Sequence, residues 1–338
     1  MARIVGIKDV AQRAGVSVGT VSNVINRPDL VAEETRTRVQ AIIDQLGYVR
    51  SEAARSLRAG QSRIIGQLVL DMANPFFAEV ASGAARAARS VGLRVMLCNS
   101  ANDPVEEAEY LSLFAEQRVR GVLLTPADPT GSDLAVLKRH GIPYVLVDRV
   151  TSDGCSVSVD DVAGGRIAAA HLVETGHQLI GYVSGPMSLA QCRDRRTGAL
   201  DALLAHGLPE DALVHLEAER MDVAAGRDAG HRLLKLSRRP TAVFCANDLL
   251  ALGVLQSLYS AGVTVPGGMS IIGYDDIELA SAAAVPLTSV RQPSEKMGQI
   301  AAELLIEETG AAAEPHHHQR VVLEPDLVIR ESTRPPSG

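Results

Sequence analysis

The chain of 338 residues is 46% hydrophobic and 22% charged, so it reads as a folded protein long enough for two domains or more. No run of about 18 apolar residues lacks a charge, and Arg3, Lys8, Asp9 and Arg13 fall where a secretory leader needs an apolar stretch, so the expected compartment is the cytoplasm, with no membrane partner. The net charge of −7 is unevenly spread: residues 1–62 hold nine Lys/Arg against six Asp/Glu, a net +3, and the rest carries −10, so an anionic polymer is expected to meet the small basic head.

The head reads as short helices. Ile7, Val10, Ala11 and Ala14 recur at helical spacing, Gly15 breaks the pattern, and Val18, Val21, Val24 and Ile25 resume it. This predicts helix, turn, helix, with Ser17 as the N-cap of the second helix. A third helix carries the stripe Val39, Ile42, Ile43 and Leu46 and stops at Gly47. Residues 51–60 are helix-forming but too poor in apolar side chains to fold without a partner.

From Ile64 the pattern changes to strands alternating with alanine-rich helices such as Phe77 to Val91 and Leu249 to Ala261. Strand-length apolar runs lie at Ile64 to Leu70, Leu93 to Leu97, Gly121 to Thr125, Tyr144 to Val147, Leu179 to Val183, Ala242 to Cys245 and Ser270 to Tyr274. The fold class is therefore an N-terminal all-α helix-turn-helix head followed by an α/β core of two doubly wound, parallel-sheet subdomains, with a ligand cleft at the carboxyl ends of the strands. The expected domains are a head over 1–49, a hinge helix and linker over 50–62, and a core over 63–338. Within the core, one subdomain takes about 63–160 and 292–321, the other about 161–291 and 322–332.

Other signals point away from catalysis and metals. Cys98, Cys155, Cys192 and Cys245 lie far apart with no C-x-x-C spacing, which suits reduced thiols rather than zinc or disulfides. Three adjacent histidines in a strand, His316-His317-His318, cannot all face one ion, so a solvated loop is expected there and no metal. Adjacent carboxylates such as Asp160-Asp161 and Asp275-Asp276 point to opposite faces of a strand. No phosphate loop, nucleophile elbow or dinucleotide fingerprint occurs, so no catalytic residue and no cofactor is expected.

The head motif Asp9-Val10-Ala11-x-x-Ala14-Gly15-Val16-Ser17-x-x-Thr20-Val21-Ser22-x-Val24-x-Asn26 resembles the signature of the lac repressor (LacI/GalR) family of bacterial transcription regulators. The core adds Asn74-Pro75-Phe76-Phe77, Asp148-Arg149, Arg195-x-x-Gly198, Ala246-Asn247-Asp248, Gly273-Tyr274-Asp275-Asp276 and Gln292-Pro293, which are similar to stations of that family's effector-binding core, itself like the periplasmic binding proteins. The resemblance implies a homodimeric repressor binding double-stranded operator DNA and a small-molecule effector. In the major groove, Val18, Gly19, Ser22 and Asn23 would read bases, with Asn23 the strong hydrogen-bonding reader of adenine, while Ser17, Thr20 and Asn26 cap the helix or meet phosphates. Ala54 and Leu57 match the family's hinge helix, whose leucine wedges into the minor groove, although Arg50 and Ser51 replace the usual Pro and Asn before it.

For the cleft, the resemblance implies that Phe76 and Phe77 stack on a sugar ring. Asp71, Asn74, Asp148, Arg149, Arg195, Asn247, Asp275 and Gln292 would then supply hydrogen bonds in the ring plane. Met221 stands where relatives often have a second stacking aromatic, and the chain has no Trp, so a pentose or deoxyhexose is expected. The alternatives are a regulator strengthened by a corepressor such as a purine, a solute-binding protein, or an α/β enzyme with an accessory DNA head.

Overall fold

The computed structural model describes residues 5–48, 62–127, 134–151, 153–310 and 316–336. Arg50, Ser51, Ala54 and Leu57, the hinge positions, lie outside the described residues. The chain divides into two compact units, Met1–Ser62 and Arg63–Gly338.

The first unit has three helices, α1 (Ile7–Ala14), α2 (Val18–Asn26) and α3 (Glu33–Leu46). Gly15 and Gly47 end α1 and α3 in the left-handed backbone that glycine adopts at little cost, with φ of 64° and 61°. Ser17 Oγ accepts the Thr20 N–H at 3.0 Å and so starts α2. Val10, Val21 and Val39, one from each helix, are fully buried and form the centre of a miniature core with Ala11, Ala14 and Val24.

The second unit holds two six-stranded sheets. The first contains β1 (Ile64–Val69), β2 (Arg94–Asn99), β3 (Gly121–Leu124), β4 (Tyr144–Val147), β5 (Cys155–Val159) and β11 (Arg320–Leu323), ordered β11-β5-β4-β3-β1-β2, all parallel. The second contains β6 (Ile180–Ser184), β7 (Leu213–Glu217), β8 (Ala242–Cys245), β9 (Ser270–Asp275), β10 (Thr288–Arg291) and β12 (Asp326–Val328), ordered β12-β10-β9-β8-β6-β7, with only β12 antiparallel. Strands β3, β4, β6, β8 and β9 are buried along their whole length, as strands covered by helices on both faces must be.

The covering helices are α4 (Pro75–Ser90), α5 (Pro104–Glu116), α6 (Leu134–His140), α7 (Asp161–Glu174), α8 (Ala190–Ala205), α9 (Val223–Leu234), α10 (Asp248–Ser260), α11 (Glu278–Ser281) and α12 (Ser294–Glu308). Asn74, Asp103, Asp160, Asp222 and Asn247 each cap the helix that follows by accepting one of its free N–H groups. Helices α7 and α8 touch backbone to backbone: a Cβ on Gly165 would overlap the Arg195 carbonyl, and one on Gly198 the Val162 carbonyl.

Two expectations need correction. Strands β5, β7, β10, β11 and β12 fall outside the apolar runs that mark the others. In β5 the serines Ser156 and Ser158 are buried between valines, and β11 and β12 are short edge strands, so none makes a long apolar run. The subdomain boundary also moves. Val322 and Leu323, expected in the second subdomain, pair with Ser158 and Val159 of β5 in the first sheet, and the chain crosses to β12 only after them.

Candidate functional site

In the head, α2 buries Val21 and Val24 and turns its other side outward: Val18 is 36% exposed, Gly19 and Asn23 are exposed, and Ser22 is half-buried. The expected phosphate contacts are partly used inside the protein. The Thr20 hydroxyl lies 2.9 Å from that of Ser17, and Asn26 Nδ2 donates to the Ser22 carbonyl at 2.7 Å and to its hydroxyl at 3.1 Å. Asn23 is thus the amide of α2 that faces outward with no such internal tether among the described contacts.

In the core, the carboxyl ends of the two sheets meet. Asn74 follows β1, Asp148 and Arg149 follow β4, Asn247 follows β8, Asp275 ends β9 and Gln292 follows β10. Asp275 joins two of them: its Oδ2 accepts from Asn74 Nδ2 of the first subdomain at 2.9 Å and its Oδ1 from Gln292 Nε2 at 2.7 Å. Arg149 approaches Gln191 of α8 at 3.4 Å, a second link across the cleft. Asp148, Asp275 and Asp276 hold φ of 60°, 104° and 58°, a left-handed backbone that costs a non-glycine residue about 1–3 kcal/mol and is concentrated at functional sites.

The cleft is buried and charged. Burial, and then Asp161, push Asp148 up to about 7 against the pull of Arg195 and Arg149. Asp275 is pushed up to about 6 by burial, opposed by Arg195 and by the hydrogen bonds from Asn74 and Gln292. Burial works against the Arg195 cation, but Asp161, Tyr274, Asp275 and Asp148 outweigh it and keep it charged. Asp148 Oδ1 and Gln292 Oε1 are buried acceptors without a hydrogen-bond partner in the protein. An unmet buried acceptor is costly, so both are suited to N–H or O–H donors of a bound molecule.

Several expected ligand residues have other duties. Arg195 is 2% exposed; its Nε pairs with Asp161 at 2.7 Å, its Nη1 donates to the Ala246 carbonyl, and its guanidinium lies 3.6 Å above the Tyr274 ring. It is therefore no open fork for vicinal hydroxyls. Asn247 is spent at both ends of its amide, accepting from Leu250 N–H and donating to the Met221 carbonyl, each at 2.9 Å. Phe76 and Phe77 pack edge to face at 5.1 Å and belong to the core, 3% and 7% exposed, rather than offering an open face. Asp71 Oδ1 holds a turn through the Ala73 N–H.

Sequence reasoning missed Asp161, Tyr274 and Asp248 as cleft supports. The Tyr274 hydroxyl donates to Asp161 at 2.9 Å, completing the cage around Arg195. Asp248 accepts from the Ser289 hydroxyl and the Ile277 N–H, which fixes the turn after β9. A carboxylate at the first position of a buried helix is the signal that marks both aspartates.

The histidine run lies in a segment without regular secondary structure, with His317 and His318 exposed, as a solvated loop would be, but two of its members have close neighbours. His316 and His318 lie beside Cys155 of β5 and Glu308 of α12, with one ligand atom of each within 4.8 Å of all the others. Residues i and i+2 of an extended segment share a face, so two of three adjacent histidines can face one point although three cannot.

Comparison with known proteins agrees with this architecture. Residues 6–51 match the model of bacterial regulatory proteins of the lacI family, and residues 169–333 match a periplasmic binding protein-like domain. The HTH-type transcriptional repressor PurR of Photobacterium profundum is 36% identical over 332 residues, 97% of this chain and 98% of that protein. The solved lac repressor dimer bound to operator and the anti-inducer ONPF is 27% identical with a TM-score of 0.82, covering 98% of this chain and 100% of that one. A LacI family regulator from Enterococcus faecium with bound ribose is 30% identical over 80% of this chain and 99% of its own, with a TM-score of 0.73. No helix among the described residues is long and apolar enough to cross a membrane. A three-helix head, followed by two α/β sheets and matched along nearly the whole chain, makes this protein a member of the LacI family of bacterial regulatory proteins.

Proposed function

We propose that the chain is a transcriptional repressor that reads operator DNA as a homodimer and couples that reading to a small molecule held between its two sheets. The observation that carries the proposal is the division of α2: Val21 and Val24 fix it to the head core, while Val18, Gly19 and Asn23 stand outside. In a major groove, Asn23 would take an adenine through two hydrogen bonds and Val18 would touch a thymine methyl. Two heads would occupy half-sites about one helical turn apart. Duplexes selected from a randomised pool test it: the selected sequence should be a pseudo-palindrome bound at least about a thousandfold more tightly than random DNA. Equal affinity for both would refute it.

For the effector, the reading we favour is a purine-like base acting as corepressor, in place of the monosaccharide expected from the resemblance. Relatives at 35–37% identity over about 97% of this chain carry the name HTH-type transcriptional repressor PurR, which favours the corepressor reading. The unpartnered acceptors Asp148 Oδ1 and Gln292 Oε1 suit the N–H edge of a heterocycle, and Arg195 has little left to offer a diol. A pentose is the second reading, supported by the ribose-bound neighbour at 30% identity. A thermal-shift screen of purines and monosaccharides, followed by operator titration with each hit, separates them. A purine that raises the melting temperature and tightens operator binding supports the first; a sugar that binds and loosens it establishes the second.

A further inference from the structure

We propose that Cys155, Glu308, His316 and His318 form a binding site for a zinc-like divalent transition-metal ion, remote from the effector cleft. Their four ligand atoms lie within 4.8 Å of one another. Cys155 Sγ is 3.1 Å from His316 Nε2 and 3.8 Å from His318 Nδ1. A tetrahedral zinc with Zn–S of about 2.3 Å and Zn–N of about 2.0 Å sets sulfur and nitrogen about 3.5 Å apart, between those two values. The two imidazole rings lie edge to face with their centroids 5.6 Å apart, so both can stand beside the one sulfur without stacking on each other.

The ligand set has a chemical logic. Thiolate and imidazole select borderline and soft ions over magnesium or calcium. One thiolate and one carboxylate neutralise a divalent cation, which suits a site whose cysteine is fully buried. Glu308 Oε2 is buried without a hydrogen-bond partner, so the carboxylate holds an acceptor that the protein leaves unused. The Gln319 N–H lies 3.4 Å from Cys155 Sγ, the outer contact that commonly supports a metal-bound thiolate. On binding, a metal–sulfur bond forms as the S–H bond breaks, and the proton leaves to solvent with no change of oxidation state.

The site ties three elements that are distant in sequence: the start of β5, the end of α12 and the segment entering β11. It lies at the amino ends of the parallel strands, whereas the effector cleft lies at their carboxyl ends. The five residues of β5 at about 3.3 Å each separate the two by about 15 Å. Cys155 is too deeply buried to serve as a nucleophile, which leaves coordination as the chemistry its histidine neighbours can support.

The full-length chain, reduced and stripped with a chelator, should be titrated with cobalt(II) and then zinc. One cobalt per chain is expected, with a thiolate-to-cobalt charge-transfer band and the intense visible bands of four-coordinate cobalt, both abolished by zinc. Zinc should raise the melting temperature. His318→Ala, at an exposed position, should fold as the parent does by circular dichroism and lose affinity by more than about 100-fold. His317→Ala, the neighbour outside the cluster, should bind as the parent does. Absence of the charge-transfer band, or equal affinity in the parent and His318→Ala, would overturn the proposal and leave a Cys–His hydrogen bond only.

Discussion

The head and the cleft both hold polar side chains that we propose meet partners outside the chain, yet they hold them in opposite ways. On α2 the helix is fixed by apolar anchors and its reading groups stand in water, with Asn23 exposed and Val21 fully buried. In the cleft the polar groups are buried and engaged with one another, Asn74 and Gln292 on Asp275, and Asp161 and Tyr274 around Arg195. A long anionic polymer needs a preformed convex surface that exchanges only water. A small molecule that replaces contacts crossing from one subdomain to the other would shift their arrangement by as much as its affinity for the two arrangements differs.

If the cleft is a network of mutual debts, removing one partner there should cost more than removing any exposed group of the head. Asp161→Ala would strand the Arg195 cation, whose side chain is 3% exposed against 11% for its partner. Unfolding of the core by urea should then show a loss of about 3–5 kcal/mol. Replacing both residues, Asp161→Leu with Arg195→Met, should recover much of that loss, because neither charge of the pair is then left buried without its partner. A double variant as unstable as the single one would mean that packing, not charge pairing, holds this region.

The same burial predicts a pH dependence. Asp148 and Asp275 have folded-state pKa values raised to about 7 and about 6, so between about pH 4 and pH 7 the folded chain binds more protons than the unfolded one. Stability contributed by these groups is therefore fully present at the acid end of that window and falls as the pH rises through it. Asp148→Asn, which cannot ionise, should flatten the upper part of the slope. An unchanged slope would assign the proton uptake to other groups. No such slope is expected from the exposed face of α2, which carries no carboxylate.

The head is tested by recognition rather than by stability. Asn23→Ala should cost about 1–3 kcal/mol of discrimination at one position of the operator, leaving binding to random duplex unchanged. Fluorescence anisotropy with the selected duplex and with each single-base variant reads this directly. Equal weakening on every sequence would make Asn23 a phosphate contact, and α2 would then lose its only strong reader.

How much of this was legible follows from the same contrast. The head could be read almost to the residue, because its helices are set by local rules: helical spacing at Val10, Ala11 and Ala14, a hydroxyl cap at Ser17, a left-handed glycine at Gly15. The central strands were legible because burial on both faces writes a continuous apolar run, whereas β5 and β10, with Ser156, Ser158, Thr288 and Ser289 buried, write none. Family resemblance named Asn74, Asp148, Asp275 and Gln292, which the structure places at the strand ends, but not the partners they have there, since nothing local in the sequence tells that Arg195 will face Asp161 across 34 residues. Nothing in the histidine run itself announces its companions for a similar reason: Cys155 and Glu308 come from other elements.

The smallest effect sharpens the contrast most, because stability and recognition can be pulled apart at one atom. Ser17 Oγ caps α2 through the Thr20 N–H, so Ser17→Ala should destabilise the head by about 1 kcal/mol. Aspartate caps a helix as well as serine does, so Ser17→Asp should keep the head as stable as the parent. On DNA the two variants should exchange places. A carboxylate at the start of α2 fits the helix dipole but repels a phosphate placed there, so Ser17→Asp should weaken binding to every duplex, while Ser17→Ala should lose only what the looser helix costs. Thermal unfolding followed by circular dichroism, set beside affinity at two salt concentrations, checks both. A stable Ser17→Asp head with undiminished affinity would move the phosphate contact away from this end of α2, even though the side chains that read bases lie on the same helix.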